Sequence, residues 1–304
     1  MPAVPTLLAP ADFAAKATAS PPGERLRGYW GSVASRFLRD PAAMGAAFVL
    51  LVLVAFAVFG PWIAPADPYQ SSMLKRLKPI GTPGFPLGTD ELGRDMLSRL
   101  IVGARLSLFV GITPVLCAFV FGTTIGIVAG YAGGRVNTLI MRTIDIFYAF
   151  PSVLLAIALS GALGAGMVNS LISLIVVFIP QIARVAESAT TQVRGRDYVE
   201  AARASGASAW TIVRVHVLGN VLGPIFVYAT SLIAVSMILA SGLSFLGLGV
   251  KPPEPEWGLM LNTLRTALYA QPWVAALPGA MIFITAISFN VLSDGLRSAM
   301  DNKG

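Results

Sequence analysis

"IFYAFPSVLLAIALSGALGAGMVNSLISLIVVFIPQIA", residues 146–183, is an unbroken run of 38 uncharged residues. A helix crosses the hydrocarbon core of a bilayer with about 20 apolar residues, so the run is too long for one crossing and long enough for two. The "GALGAG" stretch at 161–166 divides it, and the expected spans cover roughly 143–160 and 167–185. Working outward, "MGAAFVLLVLVAFAVFGPW" (44–62) supplies a first span and "LSLFVGITPVLCAFVFGTTIGIVAG" (106–130) a second. Residues 217–250 hold a fifth, with a Gly-punctuated extension, "SGLSFLGLG", that lies near the interface or folds back. The sixth is expected at about 273–293. The fold class is therefore an all-α membrane protein with six transmembrane helices.

Composition agrees. Of the 304 residues, 55% are hydrophobic and 12% charged, against about 25% charged in soluble domains. The net charge of +7 is scattered between the apolar runs, which suits loop ends at a membrane surface and not a nucleic-acid patch. With one cysteine, Cys117, and one histidine, His216, neither a disulfide framework nor a His-pair zinc site is available. No Gly-rich loop ends in Gly-Lys-Ser/Thr, so the chain lacks a P-loop for ATP.

Basic residues set the orientation. With the N-terminus inside, cytoplasmic segments hold 14 Lys and Arg and the opposite side 8, so both termini are expected to be cytoplasmic. The exception is the segment between the first two spans, with six basic residues outside.

Three polar segments punctuate the spans. In "ERLRGYWGSVASRFLR" (24–39), Leu26, Trp30, Val33 and Phe37 recur at helical spacing, which predicts an amphipathic surface helix. "LGTDELGRDMLSRLIVGAR" (87–105) predicts a second helix over 89–101, capped by Thr89. Asp90–Arg94 and Asp95–Arg99 would be i,i+4 pairs there, worth about 0.3–0.5 kcal/mol each if exposed. It is either a solvated connector or a gate element at the outer mouth. In "YVEAARASGASAWTIVRVHVLGN" (198–220), a short helix is expected over 196–204, with Arg196–Glu200 and Glu200–Arg203 at pairing distance. Gly206 would turn the chain with positive φ and Ser208 cap the next helix. The bare surface of Ala201, Ala202 and Ala204 suits close approach by a second protein. Asp145 is expected to pair with Arg142, and Asp294 with Arg297.

"EAARASGAS" (200–208) resembles the EAA loop of ABC-importer permeases through Glu200, Ala201, Ala202 and Gly206, although Gly219 stands where that family has Pro. "PLGTDELGRDMLSRLIVGARLSL" (86–108), "RTIDIFYAFPSVLLAIAL" (142–159), "SGLSFLGLGVKPPEPEWGLML" (241–261) and "NVLSDGLRSAMD" (290–301) are similar to the C-type subunits of dipeptide, oligopeptide and nickel importers. The resemblance implies a type I permease fold with a cytoplasmic coupling helix. It divides the chain into a mobile tail (1–23), an N-terminal part with the surface helix, first span and extracytoplasmic segment (24–105), a permease core (106–298) and a C-terminal tail (299–304).

The function it implies is one half of the pathway of an ATP-driven importer in a bacterial inner membrane. The chain itself would be no enzyme and bind no cofactor, with ATP and Mg held by two ATPase subunits. The other partners implied are a second, homologous permease subunit and an extracytoplasmic binding protein that delivers di- or oligopeptides. Arg196, Glu200, Ala201, Ala202, Arg203 and Gly206 would dock on the ATPase, and Asp90, Arg94, Asp95 and Arg99 are the gate candidates. A nickel-chelate or other small-solute importer shares this pattern. An ion-coupled secondary transporter would want mid-membrane charge, and an intramembrane protease a Ser–His or paired-acid set, which the runs lack.

Overall fold

The computed structural model describes residues 29–300; Leu26 and the two expected tails, but for residues 299 and 300, lie outside them. The chain is helical, and no β-strand forms among the described residues. Helix α1 (Tyr29–Phe37) leads into α2 (Pro41–Ile63). Asp40 starts α2 by accepting the N–H of Ala42 and Ala43 at 2.9 and 3.2 Å, with Pro41 in the first turn where its missing N–H costs nothing. Val33 of α1 is buried, and Phe37 approaches Gly295 near the end of the chain. The surface helix is thus packed onto the bundle.

The expected helix over 89–101 does not form as such. Residues 88–95 make a tight turn in which Thr89 bridges to Asp95, and α3 begins only at Met96 and runs to Ala132. Its N-cap is Asp95, not Thr89: the Asp95 carboxylate accepts the Ser98 N–H at 2.8 Å and the Ser98 hydroxyl at 2.6 Å. At 37 residues α3 is about 55 Å long, so its first turns stand clear of a hydrocarbon core about 30 Å thick.

The expected third span is two helices, α4 (Gly134–Tyr148) and α5 (Ser152–Leu163), meeting at 85°. Pro151 has no N–H to continue α4, and its ring disfavours helical geometry for Phe150. Next come α6 (Met167–Arg194), α7 (Asp197–Ala204) and α8 (Ala209–Ile212). A π-turn, Val213–Val217, then joins α8 to α9 (Leu218–Phe245). The extension expected beyond the fifth span is mostly the end of α9, closed by a turn at 246–249. Helix α10 (Trp257–Thr263) and α11 (Pro272–Met300) complete the chain.

Five of these helical stretches are long and apolar enough to cross a membrane, and the bent α4–α5 pair makes a sixth if it is one crossing. Packing decides that it is. A Cβ on Gly122, Gly126 or Gly130 of α3 would meet the Ile179, Ala183 or Glu187 carbonyl of α6 at 2.9, 2.4 and 2.8 Å. Both series ascend together, so α3 and α6 run parallel and the chain between them must return across the bilayer once. Gly60 of α2 sits against Ile101 of α3, and Gly295 of α11 against Ala43 of α2. Residues 41 and 300 therefore lie on one side, together with the end of α6.

Candidate functional site: a buried ion brace and an exposed short helix at opposite ends

On the side where α2 ends and α3 begins, the segment 64–95 folds over the bundle around a buried ion cluster. Asp90 is its centre. One carboxylate oxygen accepts the N–H of Leu92 and of Arg94, both at 2.9 Å. The other takes the Arg94 Nε at 2.6 Å and lies 3.3 Å from the Arg99 Nε, which is off-line for a hydrogen bond and counts as an ion pair only. Arg94 also donates to Glu91 at 3.1 Å. Asp90, Arg94, Asp95 and Arg99 are all at most 5% exposed. The sequence reading of surface pairs needs correction twice: the cluster is buried, and Asp95 does not pair with Arg99 but caps α3. Arg99 instead donates to the Pro68 carbonyl at 2.9 Å, and its Nη1 reaches the Pro253 carbonyl at 3.5 Å. That residue ties the N-terminal segment to the loop after α9.

This second loop is pinned by Glu256, fully buried, whose two oxygens accept the Gly258 and Leu259 N–H at 2.8 Å each and so cap α10. Burial pushes its carboxyl above the usual range, opposed by those two backbone donors. Trp257 donates its indole N–H to the Leu100 carbonyl at 3.1 Å and its backbone N–H to Ser107 at 3.0 Å. Glu254 accepts the Tyr69 hydroxyl at 2.9 Å. Burial, and then this carboxylate, raise the Tyr69 pKa, so the phenol keeps its proton at neutral pH. Between these elements opens a cavity of about 1180 Å³ lined by Pro61, Tyr69, Arg105, Met167, Lys251 and Glu254. Sequence reading missed Glu256, one of two acids in a Pro-rich loop with no spacing signal to set it apart from Glu254.

On the opposite side, the helix expected at 196–204 is α7, beginning one residue later with Arg196 at its N-cap. Val199 is fully buried in the same core as α6 and α9, which anchors the helix. Arg196, Glu200, Ala201, Arg203 and Gly206 are exposed. Neither Arg196–Glu200 nor Glu200–Arg203 forms an ion pair among the described residues, so the charges are left outward. Ala202 is different: half-buried, it packs on the chain's own core. Gly206 has φ +80 with open space around it, and the Ser208 hydroxyl accepts the Thr211 N–H at 3.2 Å to cap α8, both as expected. Gly219 lies inside α9 just beyond the π-turn, and a Cβ there would meet open space. His216, half-buried in that turn, stands against Tyr198 of α7 with ring centroids 6.1 Å apart.

Two expected pairs are not found. Asp145 bonds to Arg184 on α6, not to Arg142, and Asp294 makes no ion pair with Arg297 among the described residues. Nor is there a cluster of three or more metal-ligating side chains among them.

Six crossings, a cap braced by buried charges at one end and a short exposed helix at the other describe an integral membrane protein. Residues 122–303 match the family described as "Binding-protein-dependent transport system inner membrane component", and residues 28–79 match "N-terminal TM domain of oligopeptide transport permease C". The chain belongs to this family of ABC-transporter permeases. Among its relatives, the di/tripeptide transport system permease protein DppC of Pseudomonas aeruginosa is 41% identical over 283 residues, covering 91% of this chain and 92% of that protein. The glutathione transport system permease protein GsiD of Pectobacterium atrosepticum is 41% identical over 274 residues, covering 90% and 91%. The inward-facing MetNI methionine ABC transporter superposes with a TM-score of 0.55 at 20% identity, over 68% of this chain and 98% of that one. That likeness concerns the fold, which is the type I permease fold.

Proposed function

We propose that the chain forms half of the translocation pathway of an ATP-driven importer for di- and oligopeptides, and that α7 is where an ATPase subunit docks. The observation that carries this is α7 itself, in a chain of this family: it is anchored by one buried valine and presents Arg196, Glu200, Ala201, Arg203 and Gly206 to the outside. Small side chains let a partner approach the helix backbone, and unpaired charges are free to pair across the contact. ATP and its Mg would then sit on two partner ATPases, whose closure pulls α7 and reorients the spans. A second permease subunit would complete the pathway, and a binding protein outside would deliver the solute. The names of the 41%-identical relatives, di/tripeptide and glutathione permeases, support a peptide-like solute. In this reading α7 and both termini are cytoplasmic, as the distribution of basic residues favours. Asp90, Arg94, Asp95 and Arg99 would act at the outer mouth as one rigid unit with segment 64–95, since no member can move alone without stranding a buried charge.

The test is Ala201→Trp with Gly206→Val. Ala201 is the clean position, because bulk at Ala202 would disturb the chain's own packing. A wedge in a preformed contact costs about 1–3 kcal/mol, roughly 5- to 150-fold in affinity. ATPase co-purification, or the coupling of ATP hydrolysis to uptake, should fall while membrane insertion stays normal. Full complex yield and full uptake with Ala201→Trp would overturn the docking assignment.

A further inference from the structure

We propose that the bend between α4 and α5, with Gln181 and the Asp145–Arg184 pair, is the part of this chain that lines the water-filled solute path, and that Tyr148, Phe150 and Gln181 touch the solute in transit. The proposal rests on the permease reading and adds to it which residues meet the cargo.

Depth comes first. The bend is level with Gln181, whose amide lies 3.4 Å from the Ser152 hydroxyl. Gln181 is 14 residues into the 28-residue α6, about 21 Å from its start, so the chain breaks level with the middle of that helix and within its apolar part. Three residues deeper, Arg184 holds Asp145, and its guanidinium lies 5.1 Å over the Tyr148 ring.

Two independent constraints then exclude lipid from this face. Non-helical backbone at membrane depth persists only where protein or water satisfies it. Here α5 starts with no side-chain cap, and Ile146, Phe147, Tyr148 and Phe150 are 39 to 63% exposed, uncovered by the rest of the chain. Second, ionisable side chains inside a span face a bundle interior or a water-filled cavity. The Asp145 and Arg184 side chains are 44% and 47% exposed on this same face. Both constraints are met if the face borders an aqueous path.

The chemistry suits a peptide-like solute. A cavity of about 380 Å³ opens at the bend, lined by Tyr148, Phe150, Pro151, Ser152 and Gln181 among others. The Gln181 amide both donates and accepts, matching a peptide group. Its contacts within the chain, 3.4 Å to Ser152 and 3.5 Å to the Val177 carbonyl, are long and readily exchanged. The aromatic faces contact side chains of any kind, so the site reads amide groups without demanding a particular residue.

The experiment uses the complete transporter in membrane vesicles, with Cys117→Ser as background. Ala149→Cys, in the bend, is compared with Phe48→Cys, which faces outward on α2 at 67% exposure. A water-soluble thiol reagent should modify Ala149→Cys at least tenfold faster in the resting or the ATP-trapped state, because only a hydrated thiolate reacts. Dipeptide during turnover should slow it. Gln181→Leu should raise the uptake KM several-fold with the maximal rate of ATP hydrolysis unchanged. Reactivity at 149 no greater than at 48 in both states overturns the proposal, as does crosslinking of Ala149→Cys to the second permease without reagent access. Unchanged KM for both Gln181→Leu and Phe150→Ala removes the solute contact. Uptake by the unsubstituted complex in the same vesicles keeps the two claims apart: no ATP-driven import sinks the permease reading, and import with a shielded bend sinks only this one.

Discussion

Asp90 illustrates how burial changes the meaning of a charged pair. On an exposed helix, Asp90 and Arg94 would contribute a few tenths of a kcal/mol. In the folded chain Asp90 serves two backbone N–H groups and two guanidinium groups at 1% exposure. Deleting one partner of a buried pair leaves the other uncompensated, at about 3–5 kcal/mol. Asp90→Ala should therefore lower the apparent melting temperature of the detergent-purified complex and its yield. An unchanged melting curve would return the cluster to the status of a surface ornament. Residue spacing alone suggested both Asp95–Arg99 and Asp90–Arg94, and only the second forms, because Asp95 is taken by the N-terminus of α3.

At the scale of the element, the contact between α3 and α6 rests on absent side chains. Gly122, Gly126 and Gly130 recur every fourth residue and lie on one face of α3. This lets the two backbones approach closely, as small residues do between helices in lipid. At Gly126 a Cβ would meet the Ala183 carbonyl at 2.4 Å and the Ala186 Cβ at 2.5 Å. Backbone cannot give way there as a flexible side chain would. Gly126→Leu is expected to cost more than the roughly 1–3 kcal/mol of ordinary overpacking and to abolish the folded chain, whereas Gly45→Leu, on open space in α2, should be tolerated. Equal expression of the two variants would contradict the packing argument.

For the whole molecule, the parallel run of α3 and α6 and the meeting of α2 with α11 fix an even number of crossings between residues 41 and 300. Ser71→Cys and Gln192→Cys, both at exposed positions, should therefore label from opposite sides. An impermeant thiol reagent added to intact cells should reach Ser71→Cys at once and Gln192→Cys only after permeabilisation. The reverse pattern would invert the proposed orientation, and labelling of both from one side would break the six-crossing fold itself.

By itself the sequence determined the solvent, the approximate spans and the short helix ahead of Gly206, because these follow from local quantities: runs of apolar residues, helical spacing, a backbone needing positive φ. It also carried the family through several motifs in order. Only the tertiary structure decided how sharply the third span turns at Pro151, that Asp145 belongs to Arg184, and that the charges at 90–99 are buried. It likewise decided that Ala202 faces inward while Ala201 faces out. Each of these depends on what another segment, tens of residues away in the chain, places beside the residue in question. A buried charge and an exposed one are spelled alike, and the difference lies in the neighbour that excludes water.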